Sequence, residues 1–175
     1  FRLENKKKQA FTIQQLKALK RKGVKVDGIG LQCHVELASD KPTIEQLEEA
    51  IINFYNEGLQ VHITELDVDV LPNAWTYRDQ HINDLPEKAD KLNPYKDGLP
   101  KKVGILLAER YEELFRLFIK HRDKIPRVSL WGTSDDETWK NYRPVVGRTN
   151  YPLLFNSKQQ PKRAYFALHK LATDS

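Results

Sequence analysis

Residues 26–35 read Val-Asp-Gly-Ile-Gly-Leu-Gln-Cys-His-Val, and residues 60–68 read Gln-Val-His-Ile-Thr-Glu-Leu-Asp-Val. Each is a short apolar run bounded by turn formers, and each reads as a strand. They begin about 35 residues apart, near the ~31 per repeat of a (β/α)8 barrel of ~250 residues. Between them Thr43 and Gln46 make a capping box. Ile44, Leu47, Ile51, Ile52, Phe54 and Tyr55 then mark an amphipathic helix that Gly58 ends.

The same alternation extends both ways. Upstream, Ala10, Ile13, Leu16 and Leu19 recur at helical spacing from Lys6 to Lys22, and Gly23 stops the pattern. Downstream, a helix is expected from Lys101 to about His121, burying Leu107, Tyr111, Leu114, Phe115 and Phe118. A third strand, Arg127 to Trp131, an irregular aromatic stretch from Trp139 to Phe155, and a last helix from about Lys162 to Leu171 follow. Strands separated by helices imply βαβ units and a parallel sheet. Only three strands fit, less than half a barrel. Between the second and third lies a polar excursion, residues 71–100, too long for an ordinary connector; such loops usually serve a site or are disordered.

Composition agrees with a folded piece of something larger. The 39% hydrophobic and 30% charged content of the 175 residues excludes a disordered tail. The longest aliphatic stretch, Val103 to Ala108, is far short of the ~18 to 20 residues that cross a bilayer, and no signal peptide opens the chain. No membrane insertion is expected. The chain has no Met and starts Phe1-Arg2-Leu3, so it is expected to be an incomplete segment. Its 29 basic against 24 acidic residues give +5. The runs Lys6-Lys7-Lys8 and Lys20-Arg21-Lys22 read as solvated helix surface, because no aromatics interleave with them to make a nucleic-acid groove. One cysteine permits no internal disulfide and says nothing of compartment.

Side chains alternate along a strand. In the first, Ile29, Leu31 and Cys33 should point one way and Gly28, Gly30, Gln32 and His34 the other. In the second, Val61 and Ile63 should lie low on the face that carries Glu65 and Asp67 above them. In the third, Ser129 and Trp131 share a face against Val128 and Leu130. Each strand thus ends in chemically capable groups, and in a barrel such ends converge. Singly, a Glu ending a strand is usually solvated, and a lone His is usually a hydrogen-bonded core residue; their coincidence on three strands argues for a site. Alternation sets His34 and His62 on opposite faces, so no metal site is expected from them. Cys33 reads as a small buried hydrophobe.

Gly28 to His34, Ile63-Thr64-Glu65-Leu66-Asp67, Trp131-Gly132 with Trp139, and Pro152-Leu153-Leu154-Phe155 before Gln160-Pro161-Lys162 together resemble the C-terminal part of glycoside hydrolase family 10, the endo-β-1,4-xylanases. The resemblance covers nearly the whole chain, residues 1–175. It implies an α/β fold, the C-terminal portion of a (β/α)8 TIM barrel with about strands 6 to 8 and their flanking helices. It makes Glu65 the catalytic nucleophile of a retaining glycosidase, with His34 hydrogen-bonded to it and Asp67 orienting His34. Gln32, His34, Trp131 and Trp139 would bind the sugar. Such chemistry needs one ionised carboxylate and one protonated acid ~5 to 5.5 Å apart.

The family's acid is a Glu after an Asn on the fourth strand, which the resemblance sets upstream of Phe1. Asp135, Asp136 and Glu137 are carboxylates nearby, but the family uses none of them as the acid. The chain alone is therefore expected to be inactive and to need the N-terminal part of the barrel as a partner. The implied substrate is xylan or xylooligosaccharide, with no cofactor and no nucleic acid. A secreted, periplasmic or cell-surface location is expected, because polymeric xylan cannot enter cells. The competing reading is a non-catalytic xylooligosaccharide-binding protein, which would leave two sheet edges open.

Overall fold

A computed structural model describes residues 4–174; Phe1–Leu3, on which the expectation about the chain's beginning rests, and Ser175 lie outside the described residues. The elements in order are α1 (Lys6–Arg21), β1 (Gly28–Leu31), β2 (His34–Glu36), α2 (Ile44–Asn56), β3 (Gln60–Asp69), α3 (Ala89–Leu92), α4 (Lys101–Lys120), β4 (Arg127–Leu130) and α5 (Arg163–Thr173). Every described strand pair is parallel, as helical crossovers require. The sheet carries helices on one side, where Val61, Ile63, Leu66 and Val68 of β3 pack with Leu47, Ile51 and Phe54 of α2 and Tyr111 and Leu114 of α4. Each fully buried aliphatic or phenyl group there contributes about 1.5 to 3 kcal/mol over exposure.

Two expectations about the strands need correction. The first expected strand is two, β1 and β2, because Cys33 between them has φ +66°, a left-handed backbone that breaks the ladder. The second concerns faces. Leu31 pairs with Ile63 but His34 pairs with Asp67, so three steps on one strand match four on β3. Against β4, Ile63 meets Val128 and Leu66 meets Leu130, again with an extra residue in β3. The surplus residue is a bulge within Thr64–Leu66, and it reverses the alternation. Val61 and Ile63 therefore face the helices, and Glu65 and Asp67 face away from them, not together as strict alternation implies. His62 and Thr64 share the face of Gly28 and Gly30, with which they line a hollow of about 420 Å³. His62 thus lies on the same face as His34, against expectation, but lower along the strands.

Two glycines make room for this arrangement. A Cβ on Gly30 would stand 2.8 Å from Thr64 Cγ2, so only Gly lets the bulged strand come so near. Gly132 has φ +127°, and a Cβ there would meet Leu153 Cδ1 at 2.8 Å.

The excursion at 71–100 is ordered. Two short 3-10 turns and α3 close around a small apolar cluster of Ala74, Ile82, Leu92 and Val145. His81 bridges Val146 in parallel pairing, which ties the excursion to the loop after β4. The expected capping box is present: Gln46 N donates to Thr43 Oγ1 at 3.3 Å and Thr43 N to Gln46 Oε1 at 3.1 Å. The basic helix α1 is largely exposed, with Lys6 paired to Glu49 and Lys17 to Glu57.

Helices α2 and α4 are joined by charge. Glu48 Oε1 accepts from Lys120 Nζ at 2.7 Å and from His121 Nε2 at 2.6 Å, and these hydrogen bonds hold the Glu48 carboxyl below its usual range. A lowered folded-state pKa means the stabilisation is complete above the ordinary Glu range of about 4.3 and is lost as pH falls through the lower folded value. Glu48→Gln is expected to lower stability at neutral pH and to flatten its decline between about pH 5 and pH 3. Urea midpoints across that range check this; an unchanged slope would contradict it.

Candidate active site

The C-terminal ends of β1, β2, β3 and β4 open into one cleft of about 630 Å³, bordered by Gln32, His34, Glu65, Trp131 and Trp139. These are the expected residues, and the bulge accounts for the central one: without it Glu65 would continue the core-facing series of Val61 and Ile63. Glu65 N donates to Gln32 O at 3.0 Å, which fixes the bulge against the break between β1 and β2. The Glu65 carboxylate lies 3.1 Å from His34 Nε2 and 3.5 Å from Gln32 Nε2. Two nitrogens thus converge on its two oxygens.

His34 Nδ1 is 3.0 Å from Asp67 Oδ2, yet Nδ1 makes no hydrogen bond. The approach is an electrostatic contact between a ring and a carboxylate with 0% exposure. The direct hydrogen bond to that oxygen comes from Trp139, whose Nε1 donates at 2.7 Å. Trp139 also stands 4.9 Å from the His34 ring at a tilt of 54°. It holds Asp67 and His34 together from the side, a part that its reading as a sugar platform did not foresee. Trp131, by contrast, is 47% exposed at the mouth of the cleft.

Lys140 was not singled out in the sequence, and no strand or helical period marks it. It is buried in the wall of the cleft with Nζ 3.7 Å from Asp67 Oδ1, 3.3 Å from Asp69 Oδ2 and 4.7 Å from the Trp139 ring centre. Asp69 accepts further hydrogen bonds from Asn150 Nδ2 and Leu71 N. A single ammonium therefore sits between two buried carboxylates. Glu36 also borders the cleft; the alternation that put His34 on this face puts Glu36 there too, two residues on.

The acidic trio after β4 is elsewhere. Asp135 is buried, accepts from Leu153 N at 2.9 Å and pairs with Lys162 Nζ at 2.8 Å. Burial pushes its carboxyl up and the Lys162 amine down. Asp136 accepts from Ser134 Oγ, and none of the three borders the cleft. Cys33 is a buried free thiol whose pKa burial drives far up, which agrees with its reading as a small hydrophobe. Among the described residues no group of three or more His, Cys, Asp or Glu side chains is placed to hold a metal ion.

A parallel sheet backed by helices, with a carboxylate, its His partner and two indoles gathered at the strand ends, has the makings of a glycoside hydrolase built on part of a (β/α)8 barrel. Residues 1–171 match the model of Glycosyl hydrolase family 10, and the chain belongs to that family. It is 35% identical over 161 residues to an endo-1,4-beta-xylanase of Geobacillus stearothermophilus, covering 92% of this chain and 43% of that enzyme. A GH10 endoxylanase retrieved from a sugarcane soil metagenome superposes with a TM-score of 0.85 at 43% identity, over 97% of this chain and 46% of that one. A mutant structure in complex with xylotriose superposes with a TM-score of 0.77 at 36% identity, over 95% of this chain and 45% of the other. The chain thus spans less than half the length of these relatives, and its fold is the C-terminal portion of the barrel.

Lys140→Met would remove the ammonium that lies between the buried Asp67 and Asp69 carboxylates, for which a loss of about 3 to 5 kcal/mol is expected. Urea denaturation reads this directly; a loss under about 1 kcal/mol, the scale of an exposed pair, would contradict it.

Proposed function

We propose that this chain is part of a retaining endo-β-1,4-xylanase and supplies its nucleophile, Glu65. The observation that carries the reading is the Glu65 carboxylate standing in the cleft with His34 Nε2 at 3.1 Å and Gln32 Nε2 at 3.5 Å. The xylanase names of the relatives and the xylotriose complex of one structural neighbour support the substrate class.

In this scheme Glu65 attacks the anomeric carbon of a xylose unit, and a protonated carboxylic acid on the other side of the bond protonates the leaving oxygen. Water then hydrolyses the glycosyl ester, with the same acid acting as base. His34 and Gln32 hold Glu65 in line for attack, through contacts to each of its two carboxylate oxygens. Asp67 steadies His34 by charge, and Trp139 keeps both in place. Trp131 offers its exposed indole face to the apolar side of a pyranose. The acid belongs to a barrel strand outside residues 1–175, so turnover requires the N-terminal part of the barrel. Because polymeric xylan cannot enter cells, this reading implies a secreted, periplasmic or cell-surface enzyme.

The test uses the complete barrel that contains this chain. Glu65→Ala is expected to lower hydrolysis of β-1,4-xylan by at least about 10³-fold, the scale of losing a covalent nucleophile, while the thermal midpoint is kept. Undiminished hydrolysis would sink the assignment.

A further inference from the structure

Below the cleft, the lumen face of the sheet carries a second hollow that the proposed chemistry does not use. Parallel register sets Gly30, His62 and Arg127 side by side in one row across β1, β3 and β4. Val128 and Leu130 pack against the helix-side core, so Arg127 and Ser129, which alternate with them, face the lumen. With Gly28 and Thr64 these residues line the hollow of about 420 Å³. We propose that this hollow takes a carboxylate side chain from the N-terminal part of the barrel, ion-paired to Arg127 and hydrogen-bonded to His62. The inference rests on the barrel fold and on the partner named above, not on the part played by Glu65.

Charge is the first argument. Arg127 Nε donates to Ser129 Oγ at 2.9 Å, which draws the guanidinium along the lumen face rather than off the end of the strand. Among the described residues Arg127 has no ion pair and the His62 ring no hydrogen bond, and no carboxylate borders the hollow. A guanidinium presents a planar fork of donors that matches both oxygens of one carboxylate.

Shape is the second argument. The lumen of a (β/α)8 barrel is a packed core, its layers filled by side chains from alternate strands and dominated by Val, Ile and Leu. Here the row supplies a glycine, an imidazole and a guanidinium instead. The His62 ring reaches over β1, within 3.5 Å of where a Cβ on Gly28 would stand. These strands thus bring donors and room but little bulk. Bulk and an acceptor must come from the strands that complete the barrel.

The third argument is desolvation. Completing the barrel covers the lumen face and takes Arg127 and His62 out of water. A guanidinium sealed there without a counter-charge is heavily penalised, because it cannot shed its proton. A carboxylate arriving with the covering strands removes that penalty, and only in one register, so the pair keys the two parts of the barrel together.

The complete barrel tests this. Its crystal structure is expected to show an Asp or Glu of the N-terminal part with an oxygen within about 4 Å of the Arg127 guanidinium and in hydrogen-bond reach of His62. Arg127→Met is expected to raise the unfolding equilibrium constant by at least about 10²-fold, the scale of breaking a buried pair, and to do so equally at low salt and in about 1 M NaCl, where exposed pairs are screened. Arg127→Lys should recover most of that loss. Changing the partner carboxylate to its amide should cost far less in the Arg127→Met background than in the parent. Apolar side chains or water alone in the hollow, with Arg127 turned to solvent, would overturn the proposal, and this structure decides the point even if Arg127→Met does not fold. So would a loss below about fivefold, the scale of an exposed pair, or one that salt abolishes. Hydrolysis of β-1,4-xylan per folded molecule should survive Arg127→Met, so a failed key and a failed nucleophile assignment give different results.

Discussion

One surplus residue in β3 governs how the rest of the site is assembled. The bulge within Thr64–Leu66 is counted twice, against β1 and β2 on one edge and against β4 on the other. Below it, Val61 and Ile63 serve the helix-facing core; above it, Leu66 and Val68 resume that task. Glu65 falls at the changeover and is delivered to the cleft, whereas unbroken alternation would bury it among aliphatic side chains. Burying an unpaired carboxylate there would cost several kcal/mol. The break at Cys33, the hydrogen bond from Glu65 N to Gln32 O and the missing side chain at Gly30 all accommodate this one irregularity. Bulges are common beside active sites because they re-aim a side chain without disturbing the strands around it.

Above the bulge the sheet becomes unusually charged for a buried surface. Asp67 and Asp69 follow Glu65 along β3, and the protein compensates them from the loop after β4: Trp139 donates to Asp67 and Lys140 lies between both carboxylates. That loop is in turn fastened by the Asp135–Lys162 pair and by Asn150. The indole and ammonium that order the His34–Asp67 contact therefore arrive on a segment whose own position depends on α5. The excursion at 71–100 closes the arrangement, since its apolar cluster includes Val145 of the same loop. Trp139 joins the two levels, bordering the cleft while it donates to Asp67 and packs against the His34 ring.

Much of this was legible in the sequence. Helical period, the Thr43–Gln46 capping box and the spacing of strands gave the βαβ order, and the resemblance of Gly28–His34 and Ile63–Asp67 to a family gave the residues of the cleft. What strict period-2 reasoning missed was the reversal at Glu65: a bulge adds one residue without a local marker, so Val61 and Ile63 were assigned to the wrong face and His62 with them. Lys140 was invisible for a different reason. Its partners Asp67 and Asp69 lie about 70 residues away, and nothing local distinguishes a lysine that will be buried from one that will be solvated. Trp75 lay in a stretch expected either to serve a site or to be disordered, and its place at the cleft depends on Asn73 reaching Glu36 across the fold.

The account stands on Glu65 being the side chain that becomes bonded to sugar. In the complete barrel, a 2-deoxy-2-fluoro xylobioside with a good leaving group slows hydrolysis of a glycosyl ester enough for it to accumulate, and peptide mass spectrometry then locates the modified residue. The account predicts one added glycosyl unit on Glu65. A label on Glu36, Asp67 or any other carboxylate, or turnover with no covalent intermediate and inversion at the anomeric carbon, would contradict it.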